Sequence, residues 1–198
     1  MLGVAAAIFF MVSLFFPFWS ARMSAPSYPE GDLFLHMYSY KYDGDIDEWN
    51  RVGALVGIRM PPPIPDQFFY LFPAAVTAAS VLALLSAAIK RLLLVAASAP
   101  LALMGVVSAW GQYSLYLYGH NLDPERPLKF LEPFTPPIVG ITTMGKIVTY
   151  HYLDIGSLLF VLGTLLLILY ARRAGKLVFN RGKKQKELQE LRYENVPQ

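Results

Sequence analysis

Four stretches of the chain lack Asp, Glu, Lys and Arg altogether: Leu2 to Phe18, Phe68 to Ile89, Leu92 to Trp110 and Ile155 to Ala171. Each approaches or falls within the roughly 17 to 25 apolar residues that a helix needs to cross a bilayer. The pattern therefore predicts an all-α membrane protein, a four-helix transmembrane bundle. Its spans fall at 1–19, 67–89, 92–113 and 154–171, with two ordered extracytoplasmic loops at 20–66 and 114–153, a turn at 90–91 and a basic tail at 172–198. The first run has the alternative reading of a signal peptide. It lacks a basic n-region, and its far end at Trp19 to Arg22 shows no small-x-small cleavage site, so it is read as a span.

Inside the first loop, Leu33 to Tyr42 alternates so that Phe34, His36, Tyr38, Tyr40 and Tyr42 would share one strand face, with Asp43-Gly44 as a turn. Asp45 and Glu48 then have capping-box spacing. They precede Ile46, Trp49, Val52 and Val56 at helical intervals, which predicts a short surface helix. Met60-Pro61-Pro62-Pro63-Ile64-Pro65 reads as a polyproline spacer. The second loop is stiffer still. Gly119 to Gly140 holds five prolines, and each fixes its own φ and biases its predecessor toward extended geometry, so a shaped surface is expected. Within the spans, Ala74 and Ala78, with Ala75 and Ala79 beside them, predict a close helix-packing face. Pro100 predicts a kink, and Trp19, Phe69, Tyr70, Trp110, Tyr113, Tyr116 and Tyr118 form an aromatic belt at the outer boundary.

Composition agrees with a non-aqueous environment: 55% of residues are hydrophobic, 16% are charged, and the mean hydropathy is +0.41. Charge sets the expected orientation. Lys90-Arg91 make the turn between the second and third spans, and the tail carries Arg172, Arg173, Lys176, Arg181, Lys183, Lys184, Lys186 and Arg192. The segment from Arg22 to Gln67, in contrast, has seven acidic residues against four basic ones. The positive-inside rule then puts both termini in the cytoplasm of a multi-pass plasma-membrane protein. The net charge of +3 resides in this tail, which suits anionic lipid and gives no reason to expect nucleic acid.

The absence of cysteine excludes thiol relays, c-type haem attachment and thiolate metal sites. No ionisable side chain falls inside the four runs, which disfavours a lone transporter, and no phosphate loop or nucleophile elbow occurs. What remains is a set of soft ligands in the loops: His36, His120 and His151 with Met37, and further off Met23, Met60 and Met144. Imidazole with thioether suits copper. Two observations oppose such a site: neighbours His36 and Met37 would point to opposite faces of a strand, and histidines of this kind also serve as hydrogen-bond partners of loop backbone. His120, Asp123, Pro124, Pro133, Phe134, Pro136 and Pro137 are the candidate partner-docking residues, with local turn formation as the alternative role.

Several segments together carry a resemblance. They are Tyr28-Pro29-Glu30-Gly31, Gly44-Asp45-Ile46-Asp47-Glu48-Trp49-Asn50, Val56-Gly57, Gly119-His120-Asn121-Leu122-Asp123-Pro124-Glu125-Arg126-Pro127-Leu128-Lys129, and Pro133-Phe134-Thr135-Pro136-Pro137-Ile138-Val139-Gly140. This pattern resembles a family of small polytopic membrane proteins associated with nitrous-oxide-reductase maturation and respiratory gene neighbourhoods. The resemblance implies a setting of copper enzymes and electron transport, and no mechanism. The chain departs from the family where Gly53-Ala54-Leu55 stands in place of an Asn-His-Tyr run, which removes a histidine available to a metal. The expectation is a non-catalytic accessory or assembly protein that holds rigid loops beside a membrane redox enzyme, with copper as a possible cofactor. The alternative is a structural subunit of a respiratory or oxygenase complex.

Overall fold

The fold was obtained as a computed structural model, which describes residues 1–28, 31–58, 64–129 and 131–194, with side chains as far as residue 174. The expected polyproline run at 61–63, Met60, the middle of the Tyr28 to Gly31 motif and the side chains of the distal basic tail lie outside the described residues. Five α-helices are described: α1 (Leu2–Ser13), α2 (Ile46–Val56), α3 (Phe68–Ala88), α4 (Leu93–His120) and α5 (Ile155–Glu194). The strands are β1 (Trp19–Ser24), β2 (Leu33–Met37), β3 (Tyr42–Gly44), β4 (Gly140–Met144) and β5 (Ile147–Leu153).

The all-α expectation is overturned by a five-stranded antiparallel sheet of order β3-β2-β1-β5-β4, built from the segments read as loops. Its central strands were hidden for two reasons. β1 begins where the first apolar run ends, so its pattern merges with that of a helix, and its partner β5 lies about 130 residues downstream, with Ala21 facing His151. Local periodicity carries no information about such non-local pairing.

The four-span expectation is also corrected. Among the described residues, three helices are long and apolar enough to cross a membrane: Phe68–Ala88, Lys90–His120 (α4 with the short turn before it) and Ile155–Ala174. Helix α1 has 12 residues. At 1.5 Å per residue it covers about 18 Å, against roughly 30 Å of hydrocarbon. It ends early because the chain turns at Leu14 to Phe16, and Pro17 cannot donate to a continuing helix. Helices α1, α3, α4 and α5 still pack as a ring, in which α1 touches α3 and α5, and α4 closes the circuit with both.

Small residues make the ring tight. A Cβ on Gly163 of α5 would meet the Phe10 ring of α1 at 2.8 Å, and one on Gly3 would meet the Ala83 carbonyl of α3 at 2.8 Å. The Ser80 hydroxyl donates to the Ala7 carbonyl across α3 and α1. The packing face of α3 is Phe72, Val76, Ala79 and Ala83; Ala74 and Ala78 turn outward, contrary to the expected pair.

The sheet is joined directly to this ring. Helix α1 leads into β1 and β5 leads into α5, so an antiparallel helix pair continues as an antiparallel strand pair. At the junction the Phe18 carbonyl accepts from Asp154 N–H and from the Ser157 hydroxyl, and Gly156 N–H donates to the Pro17 carbonyl. One sheet face is buried. Trp19, Ala21 and Met23 of β1 and Leu33 and Leu35 of β2 pack with Trp49, Val52 and Val56 of α2 and Tyr118 of α4. On the other face, Arg22, Phe34, Ile141, Tyr150 and Tyr152 are exposed. The helix α2 forms where expected, but without the capping box: the Asp45 carboxylate accepts from Phe34 N–H, which ties the helix start to β2. The expected long strand stops at Met37, and Tyr38 to Lys41 reverse the chain. Tyr42 consequently pairs with Met37 and joins the buried face.

Candidate docking surface and the placement of the histidines

The three histidines occupy three different settings. His36 lies on the open face of β2, where its ring stacks on Phe34 at 6.4 Å. His151 lies on the buried face of β5, 5% exposed, stacked on Trp19 at 5.5 Å, with Nε2 3.2 Å from the Thr142 hydroxyl. Burial lowers its pKa to about 4, and its Nδ1 has no hydrogen-bond partner. His120 ends α4, where Nδ1 is 2.9 Å from the Tyr116 carbonyl and the ring stacks on Tyr116 at 4.0 Å. Met37 points away from His36 into an apolar space under the sheet. Period-two geometry thus separates the adjacent pair, and among the described residues no group of three or more His, Asp or Glu is arranged to hold a metal.

His36 has partners that the sequence did not indicate. The Ser20 hydroxyl lies 2.8 Å from His36 Nδ1 and donates to Asp154 Oδ2 at 2.5 Å, with Nδ1 and Oδ2 3.8 Å apart. The residue types are those of a hydrolytic triad, but their order is different. The hydroxyl sits between imidazole and carboxylate, it is fully buried, and it has no path to a substrate carbonyl. Asp154 also accepts from Ile155 N–H through Oδ1, so the cluster fastens β1 and β2 to the first turn of α5. Only the register Ser20 opposite His36 brings these residues together, and nothing local in the sequence announces it.

The proline-rich loop is clamped along its length. Gly119 packs against the Phe134 carbonyl, and Phe134 N–H donates to the Gly119 carbonyl. Gln112 of α4 holds both ends of the next turn, as Nε2 donates to the Pro136 carbonyl and Oε1 accepts from Ile138 N–H. Trp19 Nε1 donates to the Ile138 carbonyl at 2.7 Å. Asp123 N–H reaches the Gly57 carbonyl and Leu128 N–H the Leu55 carbonyl, so the loop also adheres to the end of α2. Gly57 has φ +86°, and the Arg126 side chain fills the space its missing Cβ leaves. The guanidinium of Arg126 donates to the Asp123 and Leu131 carbonyls.

The expected docking residues therefore divide. Phe134, Pro136 and Pro137 turn inward and help shape the fold, while His120, Asp123, Pro124 and Pro133 are exposed. The exposed group continues a stripe on α4: Tyr113, Tyr116 and Leu117 are 58%, 45% and 37% exposed, and with His120 they have the i, i+3, i+4, i+7 spacing of one helix face. No protein-family model, curated protein or solved structure matches the chain.

Proposed function

We propose that this protein is a non-catalytic membrane accessory protein that presents a rigid extramembrane module to a neighbouring membrane protein. The exposed stripe Tyr113, Tyr116, Leu117 and His120, running on into Asp123 and Pro124, is the contact surface. The observation that carries this reading is the clamping of the loop. Its backbone is held by α2, α4 and β1, so little conformational entropy is lost when a partner binds. Aromatic side chains with polar tips, at the end of an apolar span, are also the side chains that dominate interface energetics.

In this reading the sheet end faces outward, and the basic end, with Lys90, Arg91, Arg172 and Arg173, faces the cytoplasm of a multi-pass protein; α5 carries the C-terminal side inward, while α1, too short to cross, dips into the bilayer from the sheet side. The loop resemblance supports a partner of the respiratory or copper-enzyme class, with the protein acting as an accessory or assembly factor. A photo-crosslinking residue at Tyr116 in native membranes tests the proposal. One membrane protein is expected as the dominant adduct, lost in Leu117→Asp. Lipid adducts alone would refute it, and an adduct to a protein without a redox centre would refute the redox assignment. Recovery of that partner at fixed stoichiometry through mild-detergent purification would mark a permanent subunit. The copper version has its own test: no copper on the purified protein at any ratio, together with unchanged enzyme maturation in His120→Ala, would eliminate it.

A further inference from the structure

The ring of helices is not filled. Beneath the buried edge of the sheet, between α3, α4 and α5, lies a cavity of about 160 Å³, walled by Phe72, Met104, Val107, Gly111, Phe160 and Val161 among others. No charged side chain lines it, and its polar side-chain groups are the hydroxyls of Tyr42, Ser108, Ser114 and Ser157 and the indole N–H groups of Trp19 and Trp110, of which that of Trp19 is committed to the Ile138 carbonyl. The Ser157 hydroxyl is likewise committed to the Phe18 carbonyl. The space exists because α4 carries small side chains where it faces inward. Ser108, Gly111 and Ser114 line it from α4, and a Cβ on Gly111 would find its nearest neighbour, Ile138 Cδ1, only at 3.9 Å. The cavity opens sideways between α4 and α5, where the lining residues Ser108 and Leu153 are exposed and Val107 is half-buried. Both helices are long and apolar enough to cross a membrane, so the opening faces lipid.

We infer that this cavity binds one hydrocarbon chain of a membrane phospholipid, entering laterally from the leaflet on the sheet side. Three observations select this occupant. The walls offer no charged partner to a ligand, and dry apolar cavities of about this volume admit hydrocarbon in preference to water. The volume lies below the roughly 300 to 1,000 Å³ of pockets that enclose a whole ligand, so it admits a chain and leaves the headgroup outside. The lateral mouth opens at the depth where acyl chains are the surrounding solvent. The inference does not depend on the accessory role proposed above.

The test is photolabelling in nanodiscs with a phospholipid that carries a diazirine on one acyl chain, mapped by peptide mass spectrometry. Labelling is expected at Met104, Val107 and neighbouring residues of the cavity wall, and Gly111→Leu should reduce it at least fivefold by filling the space. Gly105→Leu, at an exposed position of α4 where an added Cβ meets nothing within 4 Å, should leave it unchanged. If Gly111→Leu fails to fold, Val107→Phe fills the same cavity from one turn away. Labelling that ignores the filling variants, or that is no stronger at the wall than on the outward surface of α4, would overturn the inference. Recovery of an isoprenoid in place of phospholipid by native mass spectrometry would overturn the assignment of the occupant.

Discussion

At the scale of single residues, His151 couples folding to pH. Its imidazole is held among Trp19, Thr142 and the sheet core with a pKa near 4, against 6.5 when free. Above pH 6.5 neither the folded nor the unfolded state binds this proton. Between 6.5 and 4 the unfolded chain takes it up and the folded chain does not, so stability falls as pH falls through that window, by up to about 3 kcal/mol. Thermal melts in detergent from pH 7 to 4.5 should show this loss, and His151→Phe should flatten the profile. A second residue-scale expectation concerns Thr149, whose hydroxyl is buried without a hydrogen-bond partner. Thr149→Val keeps the shape and removes an unsatisfied group, so it should raise stability by about 1 kcal/mol in chemical unfolding. Gly119 behaves oppositely. An added methyl there would enter the Phe134 carbonyl, and Gly119→Ala should cost about 2 kcal/mol or more, read as a lowered melting temperature.

Elements are held together here by a few side chains that span them. Gln112 is the clearest case, because one amide binds both Pro136 and Ile138 and so joins α4 to the approach of β4. Gln112→Leu should cost about 1 to 2 kcal/mol and speed proteolysis between residues 121 and 139, while the helices keep their melting behaviour. The α1–β1 and β5–α5 pairs behave as single units, since their junction is bonded through Pro17, Phe18, Asp154, Gly156 and Ser157. The Ser20, His36 and Asp154 cluster belongs to this scale as well. It has the composition of chemistry and the geometry of a fastener, and Ser20→Ala tests the difference by destabilising the fold.

For the whole molecule, sidedness is the main property. The sheet and the prolines of the second loop gather at one end of the helices, and Lys90, Arg91, Arg172 and Arg173 gather at the other. Because the chain contains no cysteine, single cysteines report topology without a background. Glu125→Cys should react with a membrane-impermeant maleimide added to intact cells, and Lys90→Cys should react only after lysis. The reverse result would invert the orientation and with it the proposed site of docking.

The sequence by itself determined the apolar helices α3, α4 and α5 and the short helix α2, with Trp49, Val52 and Val56 at helical spacing along it. These depend on composition and on periods of a few residues, which are local properties. Only the tertiary structure decided that β1 and β5, hidden at the ends of apolar runs, pair to build a sheet, and that α1 is too short to span. It also decided that His36, His120 and His151 stand in separate environments, and that Phe134, Pro136 and Pro137 serve the core while Asp123 and Pro124 remain outside. The physical reason is the same in each case. Strand register joins residues more than a hundred positions apart and sends neighbours to opposite faces, so which side chains meet is a property of the assembled sheet and not of any segment alone.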